Sequence, residues 1–243
     1  MAQPRYRDTS VSSIFPPFPP GIKWLIIVNV AVFIPYFVGG RALHDAMTTW
    51  LALYPETLFK LGFVWQLVTY MFLHADPTHI LFNMLALWFF GAMLEQTWGT
   101  RRFIKYYFYC GIAAGVCVTL AGLMELNPPV TIGASGAVFG VLIAFGVLFP
   151  DMPVLLAFLF PIKAKYMVMI MAGIELLLTL RPSTGISTIA HLGGMAFGYL
   201  YVKRRIPMLR IPDLRAAYNR WRLARAKRKF QVYVKKRGGP WVN

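Results

Sequence analysis

Charge is what this chain has least of. Only 14% of its 243 residues are Asp, Glu, Lys or Arg, where a soluble globular chain carries roughly 25%. Hydrophobic residues make up 58%, and so little polar surface excludes a soluble enzyme. Acids are the scarcest charged type, nine against 25 Lys and Arg. The resulting net charge of +16 would suit a nucleic-acid partner if it were spread over the fold. It is not: from Lys203 onward there are 14 Lys or Arg and a single acid, Asp213, which leaves the preceding body nearly neutral. Cysteine is almost missing. Cys110 and Cys117 lie in one apolar run, a spacing that reads as two small packing residues rather than a disulfide framework or a zinc knuckle. The first 20 residues bring Arg5, Arg7 and several prolines before any apolar run. They lack the layout of a cleavable signal peptide and read as a short disordered arm.

What the chain does have is long apolar runs. A helix needs about 20 mostly apolar residues to cross a bilayer. Such runs occupy 24–40, 77–94, 106–124, a stretch beyond Asn127-Pro128-Pro129, 165–180 (interrupted by Glu175) and 182–202. Two further stretches fall short. Residues 61–75 include Gln66 and His74 and suit an interfacial or re-entrant segment, and 152–162 is shorter still, bracketed by Pro153 and Pro161. The expected fold is an all-α membrane protein with six transmembrane helices and a partly re-entrant first outer loop. Its expected parts are an N-terminal arm over 1–21, a six-helix body over 22–203 and a basic tail over 204–243.

Lys and Arg accumulate in cytoplasmic loops. With the N-terminus inside, the inner segments hold Arg5, Arg7 and Lys23, then Arg101, Arg102 and Lys105, then Lys163 and Lys165, then the tail. The outer segments hold only Arg41, Lys60 and Arg181. Both termini are therefore expected in the cytoplasm of a multi-pass protein, in a cell membrane of bacterial type. In the tail, Leu214, Tyr218 and Trp221 fall at helical spacing behind Asp213, an N-cap candidate. Lys and Arg near an anionic leaflet contribute about 1 kcal/mol each, so the tail reads as an inner-leaflet lipid anchor in preference to a nucleic-acid contact.

Ionisable groups inside a span are costly and mark function by default. His74, His79 and His191 lie at or within the spans, with Asn83 and Ser135. Spans two, four and six all run from outside to inside. At 1.5 Å per residue, His79 and Ser135 lie roughly 24 Å above their inner boundaries, and Asn83 and His191 roughly 18 Å. One layer thus holds four polar groups from three helices. Gly136 and Gly140 on span four, and Gly194 and Gly198 on span six, let those helices approach closely. A serine and a histidine so placed suit a nucleophile and its general base. His79 and Asn83, four apart on one face, suit an oxyanion site. Each residue also has a plainer role: a membrane serine bonding back to its own helix, a structural histidine, a packing glycine. A channel or transporter stays open at this point. No metal or other cofactor is expected, because the histidines lack companion thiolates or carboxylates.

Gly133-Ala134-Ser135-Gly136, His79-Ile80-Leu81-Phe82-Asn83 and Ala190-His191-Leu192-Gly193-Gly194, with Trp65 before them and Glu95…Gly99 closing span two, resemble the rhomboid family of intramembrane serine proteases. The resemblance runs from about Trp24 to Lys203. It implies a rhomboid-like bundle that cuts membrane-protein substrates near the outer end of a transmembrane helix, with Ser135 as nucleophile and His191 as base. It implies an oxyanion hole from His79, Asn83 and the Ser135 N–H, and no acid as third member. Phe139 would stack on His191, and His74 would hold water near the site or anchor a loop. Glu175, the one acid within a span, is expected to be paired or facing water. The family's Trp-Arg in the first outer loop is Trp65-Gln66 here, which removes a loop salt bridge or lipid contact. The alternative function is a rhomboid-like binder of membrane helices that does not cut them.

Overall fold

The computed structural model describes residues 16–124, 130–156, 160–179, 185–204, 222, 223 and 225. They form α1 (Pro20–Val38), α2 (Gly40–Leu51), α3 (Pro55–Leu61), α4 (Gln66–Thr69), a 3-10 turn at Tyr70–Phe72, α5 (Pro77–Trp98) and α6 (Thr100–Gly122). There follow α7 (Ser135–Leu148), the strands β1 (Pro153–Leu156) and β2 (Phe160–Lys163), α8 (Ala164–Leu178) and α9 (Gly185–Arg204). By length and composition α1, α5 and α6 can each cross a membrane, and α7 is a shorter apolar helix. The chain divides into two units, Met1–Ile206 and Pro207–Asn243. The amphipathic segment expected at 213–221 and most of the N-terminal arm lie outside the described residues.

The helix ends follow from local chemistry. Pro20 opens α1 at a position whose N–H would have no partner in any case. The next two N–H groups, of Gly21 and Ile22, donate to the two oxygens of Glu95, each at 2.8 Å, and Lys23 N–H donates to Pro19 O. Two N–H groups of the first turn of α1 are thus held by a carboxylate from α5, which also accepts from Thr100 Oγ1 at 2.6 Å. Glu95 is 2% exposed, so its charge is carried by three donors and by the positive end of α1. Asp76 caps α5 by accepting from His79 N–H, ahead of Pro77. Gly99 turns the chain from α5 into α6 with φ +79°, a conformation costly for any residue with a Cβ.

In the middle of the bundle, α7 packs on α9, α6, α5 and α8. Its 14 residues span about 21 Å, well short of a hydrocarbon core about 30 Å thick. The glycine rows mesh as their spacing predicts. A Cβ on Gly194 would land on the carbonyl of Gly136, and one on Gly198 would meet the Gly140 carbonyl at 3.0 Å. Cys110 is buried against Gly140, the packing role expected for it, and Tyr106 OH donates to Gly140 O at 2.5 Å.

Two features depart from the sequence expectations. The all-α expectation misses an antiparallel hairpin: β1 pairs with β2 from Pro153↔Lys163 to Leu156↔Phe160. Each strand holds one of the prolines that bracket this stretch. Pro153 sits at the first strand position, where a missing donor costs nothing to the ladder. The second is the loop before α5. Gln66 does not leave that loop untied. It is fully buried, accepts from Thr57 Oγ1 at 2.6 Å and Tyr54 N–H at 3.3 Å, and donates to Thr49 O at 3.1 Å. Three neutral hydrogen bonds connect α2, α3 and α4 where a salt bridge was expected to be lost. Beside it Trp65 Nε1 donates to Trp50 O, and Trp50, Phe63 and Trp65 stack in a half-exposed row.

Candidate active site

Ser135 is the first residue of α7, and the chain reaches it through two tethered residues. Gly133 N–H donates to Tyr70 O at 2.9 Å, and Ala134 N–H approaches His74 Nε2 at 3.5 Å. Gly133 has φ +116° and its Cα faces His79: a Cβ there would sit 2.8 Å from His79 Nε2 and 3.8 Å from Ser135 Oγ. Glycine is required at this point both by its φ and by the closeness of the imidazole. The turn therefore brings the serine hydroxyl and the His79 edge to the same place.

His191 arrives from α9. Its Nε2 lies 2.8 Å from Ser135 Oγ, the distance of a strong hydrogen bond. Phe139, one turn after the serine, stacks on the His191 ring with centroids 4.2 Å apart and planes 20° apart. The resemblance leads to that stacking, and the structure has it. The close α7–α9 approach comes from Gly136 and Gly194: a side chain at Gly136 would also press on Ala190 O, the residue before His191.

His79 is half-buried on the first turn of α5. Its Nδ1 receives the Ala75 N–H at 3.4 Å, which assigns the neutral ring's proton to Nε2 and leaves that N–H facing Gly133 and Ser135. His74 is fully buried, with its ring edge-on to His79 at 5.0 Å. It anchors the Ser135 turn by its contact with the Ala134 N–H, one of the two roles foreseen for it. Asn83 is brought to the neighbourhood less directly. Its recorded bond runs from Nδ2 to His79 O at 2.9 Å, back along its own helix. The second amide proton is not spent in that bond.

One neighbour was not foreseen in this place. Glu175 of α8, 8% exposed, sets Oε2 2.9 Å from His191 Nδ1. The resemblance implies no acid beside the histidine, and the depth comparison above covered only spans two, four and six. Counted from Lys165 at the inner end of span five, Glu175 stands roughly 15 Å up, within a turn of His191. Depth alone was legible from that count; that α8 turns this face toward His191 was not. The contact is close without being an aligned hydrogen bond, since neither atom has a partner of hydrogen-bond geometry.

Residues 62–207 match the model of the Rhomboid domain. Among curated proteins, Rhomboid protein 1, mitochondrial, of Saccharomyces cerevisiae is 32% identical over 210 residues, covering 81% of this chain and 57% of that protein. Rhomboid protease GluP of Bacillus subtilis is 29% identical over 143 residues, 58% of this chain and 27% of that one. Rhomboid protease AarA of Providencia stuartii is 26% identical over 194 residues, 72% and 69% respectively. The chain spans about half the length of the first two mitochondrial relatives it matches. The matched segment contains Ser135, His191, His79 and Asn83 together, on elements arranged as above. This chain is an integral membrane protein and belongs to the rhomboid family.

Proposed function

We propose that the chain is an intramembrane serine endopeptidase working with Ser135 and His191. The observation that carries the proposal is the 2.8 Å contact between Ser135 Oγ and His191 Nε2, at a half-buried position reached by both α7 and α9. His191 takes the hydroxyl proton as Oγ attacks the scissile carbonyl. The developing oxyanion faces His79 Nε2–H, the free Asn83 amide proton and the Ser135 N–H. That last group belongs to the first turn of α7, whose N–H groups have no partner within the helix and lie at its positive end. The imidazolium then gives its proton to the leaving amine, and water, activated by the same ring, releases the acyl group from Ser135.

In this proposal six helices cross the membrane, α1, α5, α6, α7, α8 and α9, and the loop holding α2 to α4 lies on the outer side, partly inserted. Both termini are cytoplasmic, following the Lys and Arg distribution, and the tail over 204–243 lies on anionic lipid. The membrane in this proposal is a cell membrane of bacterial type. Because α7 is short and begins at Ser135, the space above it is free for water although the serine lies below the surface. Substrates are membrane proteins whose transmembrane helix unwinds near its outer end and enters beside α8. That helix turns Met169, Ile170, Ile174 and Leu177 outward, a face without partners among the described residues and suited to a gate in lipid.

The test compares the protein with Ser135→Ala in liposomes, on a transmembrane substrate whose outer end carries a helix-breaking residue. Cleavage by the parent alone is the expected result. Equal cleavage by both removes Ser135 as the nucleophile. Binding without cleavage by either, across several substrates, points to the non-cutting binder instead.

A further inference from the structure

The mechanism above uses one nitrogen of His191 and leaves the other against a buried carboxylate. We propose that Glu175 is a positioning residue for His191: its carboxylate holds the Nδ1–H, keeps Nε2 free to receive the Ser135 proton, and steadies the imidazolium that results. This rests on the reading of Ser135 and His191 as nucleophile and base.

The ring is fixed from three directions. Ser135 Oγ meets Nε2 at 2.8 Å, Phe139 covers one face at 4.2 Å, and Glu175 Oε2 stands 2.9 Å from Nδ1. A neutral imidazole has one proton, and whichever nitrogen carries it cannot accept another. A carboxylate at Nδ1 selects the tautomer with the proton there, which is the one that makes Nε2 a base. The side chains of His191 and Glu175 are 17% and 11% exposed, so little water competes for either. Oε2 and Nδ1 are both buried, and neither has an aligned hydrogen-bond partner among the described residues. His191 is also the ionisable group that Glu175 meets among the described residues. A carboxylate buried without a partner is expensive, and one facing a group that becomes positive during each turnover is not idle. The present contact is off the N–H direction. Hydrogen bonds of this kind are often poorly aligned before substrate binds and tighten in the complex. No proton passes to Glu175 at any step: the Ser135 proton goes to Nε2 and then to the leaving amine, and the carboxylate stays ionised. Because Glu175 rides on α8, outward movement of that helix for substrate entry takes the carboxylate away from the ring, and closure restores it.

Glu175→Gln removes the charge and keeps an oxygen that can accept from Nδ1. Glu175→Asp keeps the charge on a stem one carbon shorter. The full chain and both variants are purified in detergent and assayed on the transmembrane substrate. Thermal melting and fluorophosphonate labelling of Ser135 establish that each variant is folded and each site assembled. The expected result is a kcat for Glu175→Gln lower on the order of 10- to 100-fold with KM little changed, and partial recovery in Glu175→Asp. A second readout does not depend on turnover: with substrate bound in the Ser135→Ala background, the far-downfield proton resonance of a carboxylate-bound imidazole Nδ1–H is present beside Glu175 and lost in Glu175→Gln. A folded Glu175→Gln with parental kcat and an unchanged resonance overturns the positioning role while leaving the protease intact. A parent no more active than Ser135→Ala overturns the protease reading, and the resonance then still decides whether Glu175 holds His191.

Discussion

Replacing Gly194 by alanine adds one methyl group at the tightest point between the two helices that carry Ser135 and His191. The added Cβ would fall on the carbonyl of Gly136 and close on that residue's Cα as well. Both obstacles are backbone, so no side-chain rotation relieves them. Restoring ordinary contact requires α7 and α9 to part by on the order of 1 Å, and overpacking of this kind costs roughly 1–3 kcal/mol. Alanine's better helix propensity returns at most about 1 kcal/mol. The functional cost is larger than the stability cost, because Ser135 and His191 lie on the two separated helices with only 2.8 Å between Oγ and Nε2. A misplacement of about 1 Å at a reacting pair lowers the rate by about 100-fold. Proteolysis of a transmembrane substrate in detergent, measured beside the melting temperature, should show Gly194→Ala slowed by about that factor with a modest loss of stability. Gly173→Ala is the control: on α8 a Cβ at that position meets nothing within 4 Å, so its turnover should match the parent and its melting temperature should equal or exceed the parent's through alanine's helix propensity. Full activity and an unchanged melting temperature in Gly194→Ala would refute the claim that this glycine contact sets the nucleophile–base distance.

Gln66→Leu should lower the melting temperature and leave turnover of the folded protein intact, because each buried donor or acceptor left unpaired costs about 1–3 kcal/mol and Gln66 serves Thr57, Tyr54 and Thr49; an unchanged melt in a thermal scan would show the ties to be replaceable. Asp151 accepts from Lys165 Nζ at 2.9 Å and Lys163 Nζ at 3.1 Å, and those bonds hold its carboxyl below its ordinary value of 3.8. A depressed carboxyl stabilises the fold above that ordinary value, and the contribution is lost as pH falls through the lower, folded one. Hydrogen exchange at the Ala164 and Lys165 amides, which bond to Met152 and Pro150, should therefore quicken in acid below that range in the parent. In Asp151→Asn it should already be faster at neutral pH, with no such step. Deleting residues 204–243 should leave turnover in detergent unchanged while weakening binding to vesicles of anionic lipid; total loss of activity would sink the anchor role.

The site was legible in the sequence where one-dimensional spacing maps directly onto depth. Ser135 and His191 could be placed at one depth because each is counted from the inner end of a span and the helical rise is constant, and the structure brings them within 2.8 Å. The glycine rows were legible for the same reason, since positions four apart share a face whatever the bundle looks like. Glu175 was visible as a residue and missed as a neighbour. Its helix runs the other way, and no spacing within one helix says which face a second helix will turn toward it. The hairpin at 153–163 was hidden by Pro153 and Pro161, which read as breaks. At Gln66 the sequence showed only the missing charge; three neutral bonds to side chain and backbone across 49–57 were invisible without the loop's geometry.

The most ordinary role open to Ser135 from sequence was to bond back to a carbonyl one turn earlier in its own helix. Its position removes that role. As the first residue of α7 it has no preceding helical turn, and the chain before it, Gly133 and Ala134, is held off by Tyr70 and His74. The hydroxyl is left to His191, and the N–H beside it is left unspent by the helix. A serine three or four residues further along α7 would have lost both properties at once. The short helix thus serves two ends through one feature. Beginning α7 deep in the bundle leaves a donor and a hydroxyl uncommitted, as the proposed acyl transfer requires, and the length it does not occupy is the space that the proposal gives to water and an unwound substrate.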